Sequence, residues 1–131
     1  MDAHQKNVAE QCMIASHEGT LNFPAILNRL AEAGFEGYLV DYRKGTTVYY
    51  LADGESVEIQ NIKTPGLVAP EFRADIIEAN VRKSQANAHS YREFCEHVKN
   101  AGCAGYLVTL LGKRVVYYGR TGETHVEMMP V

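Results

Sequence analysis

The sequence predicts an α+β protein built as a tandem duplication of a helix-helix-three-stranded antiparallel meander, and three observations predict it. The first is that the chain matches itself at an offset of 68 residues. Ala33-Gly34 falls on Ala101-Gly102, Gly37-Tyr38-Leu39-Val40 on Gly105-Tyr106-Leu107-Val108, Val48-Tyr49-Tyr50 on Val116-Tyr117-Tyr118, and Gly54-Glu55 on Gly122-Glu123. From Ala33 to Glu55 there are 11 identities in 23 ungapped positions, a density that unrelated segments do not reach. The second is that each copy opens with apolar residues at helical spacing. The third is that each copy closes with alternating segments rich in β-branched and aromatic residues, broken by turn signals.

The first helix runs through Val8, Ala9 and Met13, whose equivalents are Ile76, Ile77 and Val81. Pro70 is expected in the first turn of the second copy's helix, where a missing N–H is harmless. Ser16-His17-Glu18-Gly19 reads as a polar segment between helices. Next, Phe23, Ile26, Leu27 and Leu30 are spaced i, i+3, i+4, i+7, the buried stripe of an amphipathic helix, and Tyr91, Phe94, Cys95 and Val98 repeat it. Asn22 and Ser90 are good N-caps, and Gly34 and Gly102 stand where a glycine would end each helix.

After each glycine the period changes from helical to alternating. Tyr38 to Tyr42 and Thr46 to Leu51 read as strands joined at Lys44-Gly45, with a third strand, Ser56 to Ile59, after the Asp53-Gly54 turn. The second copy turns at Gly112-Lys113 and ends with His125 to Met129 after Thr121-Gly122. Between the copies, Gln60 to Pro70 with Pro65-Gly66 at its centre is the linker. Residues 1–61 and 69–131 are therefore the two copies, expected to pack around a pseudo-twofold axis as one compact domain, through sheet edges or helices. Sequence alone leaves open whether the two sheets merge.

Composition narrows the classes of function. At 131 residues, 46% hydrophobic and 22% charged, the chain is an ordinary globular one. A net charge of −3 with scattered basic residues argues against nucleic acid, which needs a basic face to displace counterions. No apolar run is long enough to cross a bilayer, and residues 1–6 lack the apolar stretch of a signal peptide. Three cysteines, an odd number, suit free thiols in a reducing cytoplasm.

Asn22-Phe23-Pro24, Gly34, Val48-Tyr49-Tyr50 and Asp53-Gly54 carry a family likeness, as do Ser90-Tyr91, Phe94-Cys95, Ala101-Gly102, Tyr117-Tyr118, Gly122, Glu127 and Pro130. With these residues the chain resembles, over nearly its whole length, a bacterial family of unknown function numbered 1398, sometimes labelled "phage envelope protein". The chain departs from the family pattern at Tyr106, where a bulkier aromatic is expected, and in a shorter interval between halves. The resemblance implies no activity, and the envelope label fits poorly with an acidic chain that has no membrane segment.

The candidate chemistry is sparse. His89, Cys95, His97 and Cys103 are zinc-ligand types, but Cys95 and His97 stand about 200° apart around one helix. Cys95 also occupies the place of Leu27, and Cys103 that of Phe35, so both read as small core hydrophobes and no metal site is expected. Cys95 as a nucleophile would need a base, His89, His97 or His125, and the first copy offers no parallel. There is no nucleophile elbow, phosphate loop, metal box or dinucleotide fingerprint, so no cofactor is implied.

The paired tyrosines matter more. Adjacent strand residues face opposite sides, so one of Tyr49-Tyr50 and one of Tyr117-Tyr118 point to the helices and the other away. Neither face of the first strand is plainly polar, since Tyr38, Val40 and Tyr42 share one side and Leu39 and Asp41 the other. An outer face of this kind calls for a cover. Burial against the other copy is the leading expectation, with a second chain in a homodimer or a small-molecule ligand as the other covers. Candidate binding residues are Tyr50, Tyr118, Asp41, His17, His97 and His125. The function expected is a non-catalytic small-ligand-binding or protein-interaction module. The alternative is a small cytoplasmic enzyme using Glu55, Glu123, His97 and His125 as acid-base groups at the junction of the copies.

Overall fold

A computed structural model describes residues 1–129; Pro130, part of the family likeness, and Val131, the end of the second copy, lie outside the described residues. Four helices and six strands follow one another as two rounds of helix, helix and three strands.

Helix α1 (Ala3–Glu18) begins with a capping box, in which Asp2 accepts from the Gln5 backbone N–H while the Gln5 side chain accepts from the Asp2 N–H. Nothing before Gly19 breaks it, and Gly19 (φ 72°) adopts the left-handed turn that ends it. Ser16, His17 and Glu18 are therefore its last turn and not an interhelical segment. Helix α2 (Phe23–Glu32) starts from Asn22, whose side chain accepts from Ala25 N–H. Helix α3 (Ala74–Gln85) follows Arg73, which provides no side-chain cap, so Pro70 lies in the linker and not in the helix's first turn. Helix α4 (Tyr91–Asn100) opens with the Ser90–Glu93 capping box.

The strands are β1 (Phe35–Asp41), β2 (Thr46–Leu51), β3 (Ser56–Gln60), β4 (Cys103–Thr109), β5 (Arg114–Gly119) and β6 (Thr124–Met128). They form a single antiparallel sheet in the order β3-β2-β1-β4-β5-β6. The two meanders thus merge edge to edge through β1 and β4. Leu39 pairs with Leu107, its own equivalent at the 68-residue offset, so a pseudo-twofold axis passes between them.

The helices cover one face of this sheet. Ala9, Cys12, Ile26, Leu30, Ile77, Val81, Phe94 and Val98 from the helices join Tyr38, Val40, Tyr49, Tyr106, Val108 and Tyr117 in one buried cluster. Burying the large apolar side chains among these, such as Leu30, Ile77, Phe94 and Val98, stabilises the fold by about 1.5–3 kcal/mol each. The linker is tied down as well. Lys99, buried on α4, donates through Nζ to the carbonyls of Thr64 and Gly66, and Arg73 N–H donates to Ala101 O. Gly102 (φ 88°) lets the chain pass so close to the Glu71 carbonyl that any Cβ would collide with it.

Candidate functional site

Strand alternation divides each tyrosine pair between two environments. Tyr49 and Tyr117 point into the helical layer and are buried, whereas Tyr50 and Tyr118 lie half-buried on the opposite face. That outer face carries Leu39, Val48, Leu107, Val116, Val126 and Met128 beside them, from the alternate positions of β1, β2, β4, β5 and β6. Leu107 is 39% exposed, Met128 60%, and Leu111 in the β4–β5 turn 76%. The leading expectation, that the other copy buries this face, is overturned. Because the copies join edge to edge, both outer faces point the same way and neither can cover the other.

The face is not symmetric in detail. Tyr118 lies across Gly105, where any Cβ would collide with its hydroxyl and with the Val40 carbonyl. At the equivalent Gly37 the nearest atoms are the Val108 and Thr109 backbone. A groove of about 190 Å³ opens there, lined by Glu36, Tyr50, Leu107, Thr109 and Leu111. Asp41 stands at the other end and accepts from the backbone N–H groups of Arg43 and Lys44, so it caps the hairpin turn. Of the six sequence-derived candidates, Tyr50, Tyr118 and Asp41 share this face.

The other three lie on the helical side and do not meet. His17 sets its ring edge-on to Tyr91 at 5.0 Å, and its Nδ1 is buried without a partner among the described residues. Burial and the nearby Arg92 charge lower its pKa, which keeps it neutral at pH 7. His97 is exposed, with Nδ1 3.0 Å from Asn80 Oδ1. His125 stacks on Tyr117 and faces Glu127, which also pairs with Arg82 at 3.1 Å. The carboxylates of the catalytic alternative are engaged elsewhere, Glu55 by the Met1 amine at 2.8 Å and Glu123 by the Thr121 hydroxyl.

One cluster went unnoticed in the sequence. At the junction of the copies Tyr91 and Tyr106 share a hydrogen bond of 2.6 Å, and the Tyr42 hydroxyl donates to Cys95 Sγ at 3.5 Å. Burial raises the pKa of all three phenols and of the thiol, so each stays protonated. The adjoining cavity, between Ser16, His17, Thr47, Asn61 and Tyr106, measures about 20 Å³, space for a single water. Its signal was available: Tyr42 and Tyr91 face Leu110 and Phe23 across the repeat, so both add hydroxyls that the other copy lacks.

Cys95 and Cys103 are buried, as their Leu27 and Phe35 equivalents imply, and all three cysteines are free. Among the described residues no group of three or more His, Cys, Asp or Glu side chains is placed to hold a metal ion. Nor is any described helix long and apolar enough to cross a membrane.

These features define an α+β protein of two α-α-β-β-β units sharing one sheet, armoured by helices on one side and open on the other. The chain belongs to the family described as protein of unknown function DUF1398, which matches residues 8–127. No curated protein matches the sequence significantly.

Proposed function

We propose that this protein is a non-catalytic interaction module that works through its open sheet face. The observation that carries this reading is the apolar, uncharged centre of that face. Leu39, Val48, Tyr50, Leu107, Val116 and Tyr118 occupy positions where a solvated antiparallel sheet would place polar residues. Tyrosine-rich, charge-depleted centres rimmed by ionic residues are typical of protein interfaces. The roughly 20 Å³ cavity at the junction of the copies favours a partner outside the fold over a ligand within it. Three free, buried cysteines suit work in a reducing cytoplasm.

The test is site-specific photo-cross-linking in cells that express the chain at its native level. A photoreactive aromatic residue at Tyr50 should form discrete cross-links, whereas the same group at exposed Asn28 on α2 should form none. Cross-linking from Asn28 alone, or from neither position, contradicts the reading.

A further inference from the structure

We infer that the occupant of the open face is a second copy of this chain, packed sheet on sheet about a twofold axis. The inference rests on the interaction-module reading and names its partner. Three observations converge on it.

The first is size. The six strands, about 4.8 Å apart and about five residues long at roughly 3.4 Å each, give a plan area of about 500 Å². Side-chain relief and the flanking Leu111 and Arg43 bring this toward the about 800 Å² that a stable interface takes from each partner. The second is charge. Glu36 and Arg114 mark one end of the face and Asp41 and Arg43 the other, while Glu58 on β3 is already paired with Lys44 at 2.7 Å. A second copy whose strands run parallel to the first can set Glu36 against Arg114, and the uncharged centres of Leu39, Leu107, Val116 and the tyrosines then meet each other. The third is shape. The groove beside Gly37 is the unfilled counterpart of the place that Tyr118 fills at Gly105, and it offers an apolar knob somewhere to seat. Pairing through the free edges of β3 and β6 would instead leave the apolar centre in water.

Sedimentation of the full chain tests this directly. Wild type should sediment at twice its 14.6 kDa chain mass at micromolar concentration. Tyr118→Glu and Leu107→Glu should each weaken association at least about 30-fold. Asn28→Glu, on the helical side, should leave it unchanged. Circular dichroism distinguishes loss of association from loss of fold. Should a glutamate variant fail to fold, Met128→Lys, at a 60% exposed position, provides the same comparison. A wild type that stays monomeric at 100-fold higher concentration overturns the inference, as does a dimer indifferent to all three face variants. A monomer that still cross-links from Tyr50 to a different protein overturns the second copy while preserving the interaction module; a monomer with no such cross-link removes both.

Discussion

Leu39 stands directly opposite Leu107 at the centre of the sheet, each the other's equivalent across the repeat. Tyr42 N–H donates to Ala104 O and Leu110 N–H to Glu36 O, which sets the hydrogen-bonded pairs at even-numbered positions of β1. Leu39 and Leu107 are therefore a non-hydrogen-bonded pair, the kind with the closer Cα atoms, about 4.5 Å apart. Their separation suits a disulfide. The double variant Leu39→Cys/Leu107→Cys should cross-link under mild oxidation and stabilise the fold by up to about 4 kcal/mol through closure of a long loop. Mass spectrometry of a digest checks the pairing, and a bond to any other cysteine would contradict the register.

The same close approach makes Gly105 sensitive. Gly105→Ala would drive a methyl group into the Val40 carbonyl and the Tyr118 ring. A loss of about 2–4 kcal/mol is expected in urea unfolding. Gly54→Ala, which has open space but a φ of 90°, should lose only about 1 kcal/mol.

Six tyrosines should report on the fold at high pH. Burial raises the pKa values of Tyr38, Tyr42, Tyr49, Tyr91, Tyr106 and Tyr117 in the folded protein. Their contribution to stability is complete below the unfolded value of about 10 and is lost as pH rises toward the folded values. In that window the unfolded chain has released protons that the folded chain retains. Stability should fall by about 1.4 kcal/mol per tyrosine per pH unit. Tyrosinate absorbance should then appear as one cooperative step together with unfolding. Smooth titration near pH 10 in a protein that remains folded would contradict the burial.

Thiol reactivity checks the core independently. Burial raises all three thiol pKa values, that of Cys103 to about 12. Aromatic disulfide reagents at pH 8 should label native Cys12, Cys95 and Cys103 at least about 100-fold more slowly than the urea-unfolded chain. Fast labelling of Cys95 in the native state would revive it as a nucleophile.

Much of the architecture is legible before folding because the repeat lets one copy corroborate the other. The stripe Phe23, Ile26, Leu27, Leu30 and its echo place α2 and α4, and alternation around Tyr49-Tyr50 correctly divides the pair between faces. What escapes is decided by tertiary contact. The edge on which β1 finds β4 depends on both meanders at once, so the open face was expected to be buried. Ser16 to Glu18 read as loop because polarity resembles a turn, although only Gly19 ends the helix. The Tyr42–Cys95 and Tyr91–Tyr106 contacts join positions 53 and 15 residues apart, beyond any local pattern.

The central claim is that a second copy of the chain covers the face bearing Tyr50 and Tyr118, and tyrosine-selective nitration read by mass spectrometry tests it most directly. In dilute protein Tyr50 and Tyr118 should be modified while Tyr38, Tyr49, Tyr106 and Tyr117 are spared. At high protein concentration both outer tyrosines should react at least about 10-fold more slowly, as a second copy covers them. Reaction of the inner four in folded protein, or outer-tyrosine rates independent of concentration, would contradict the account.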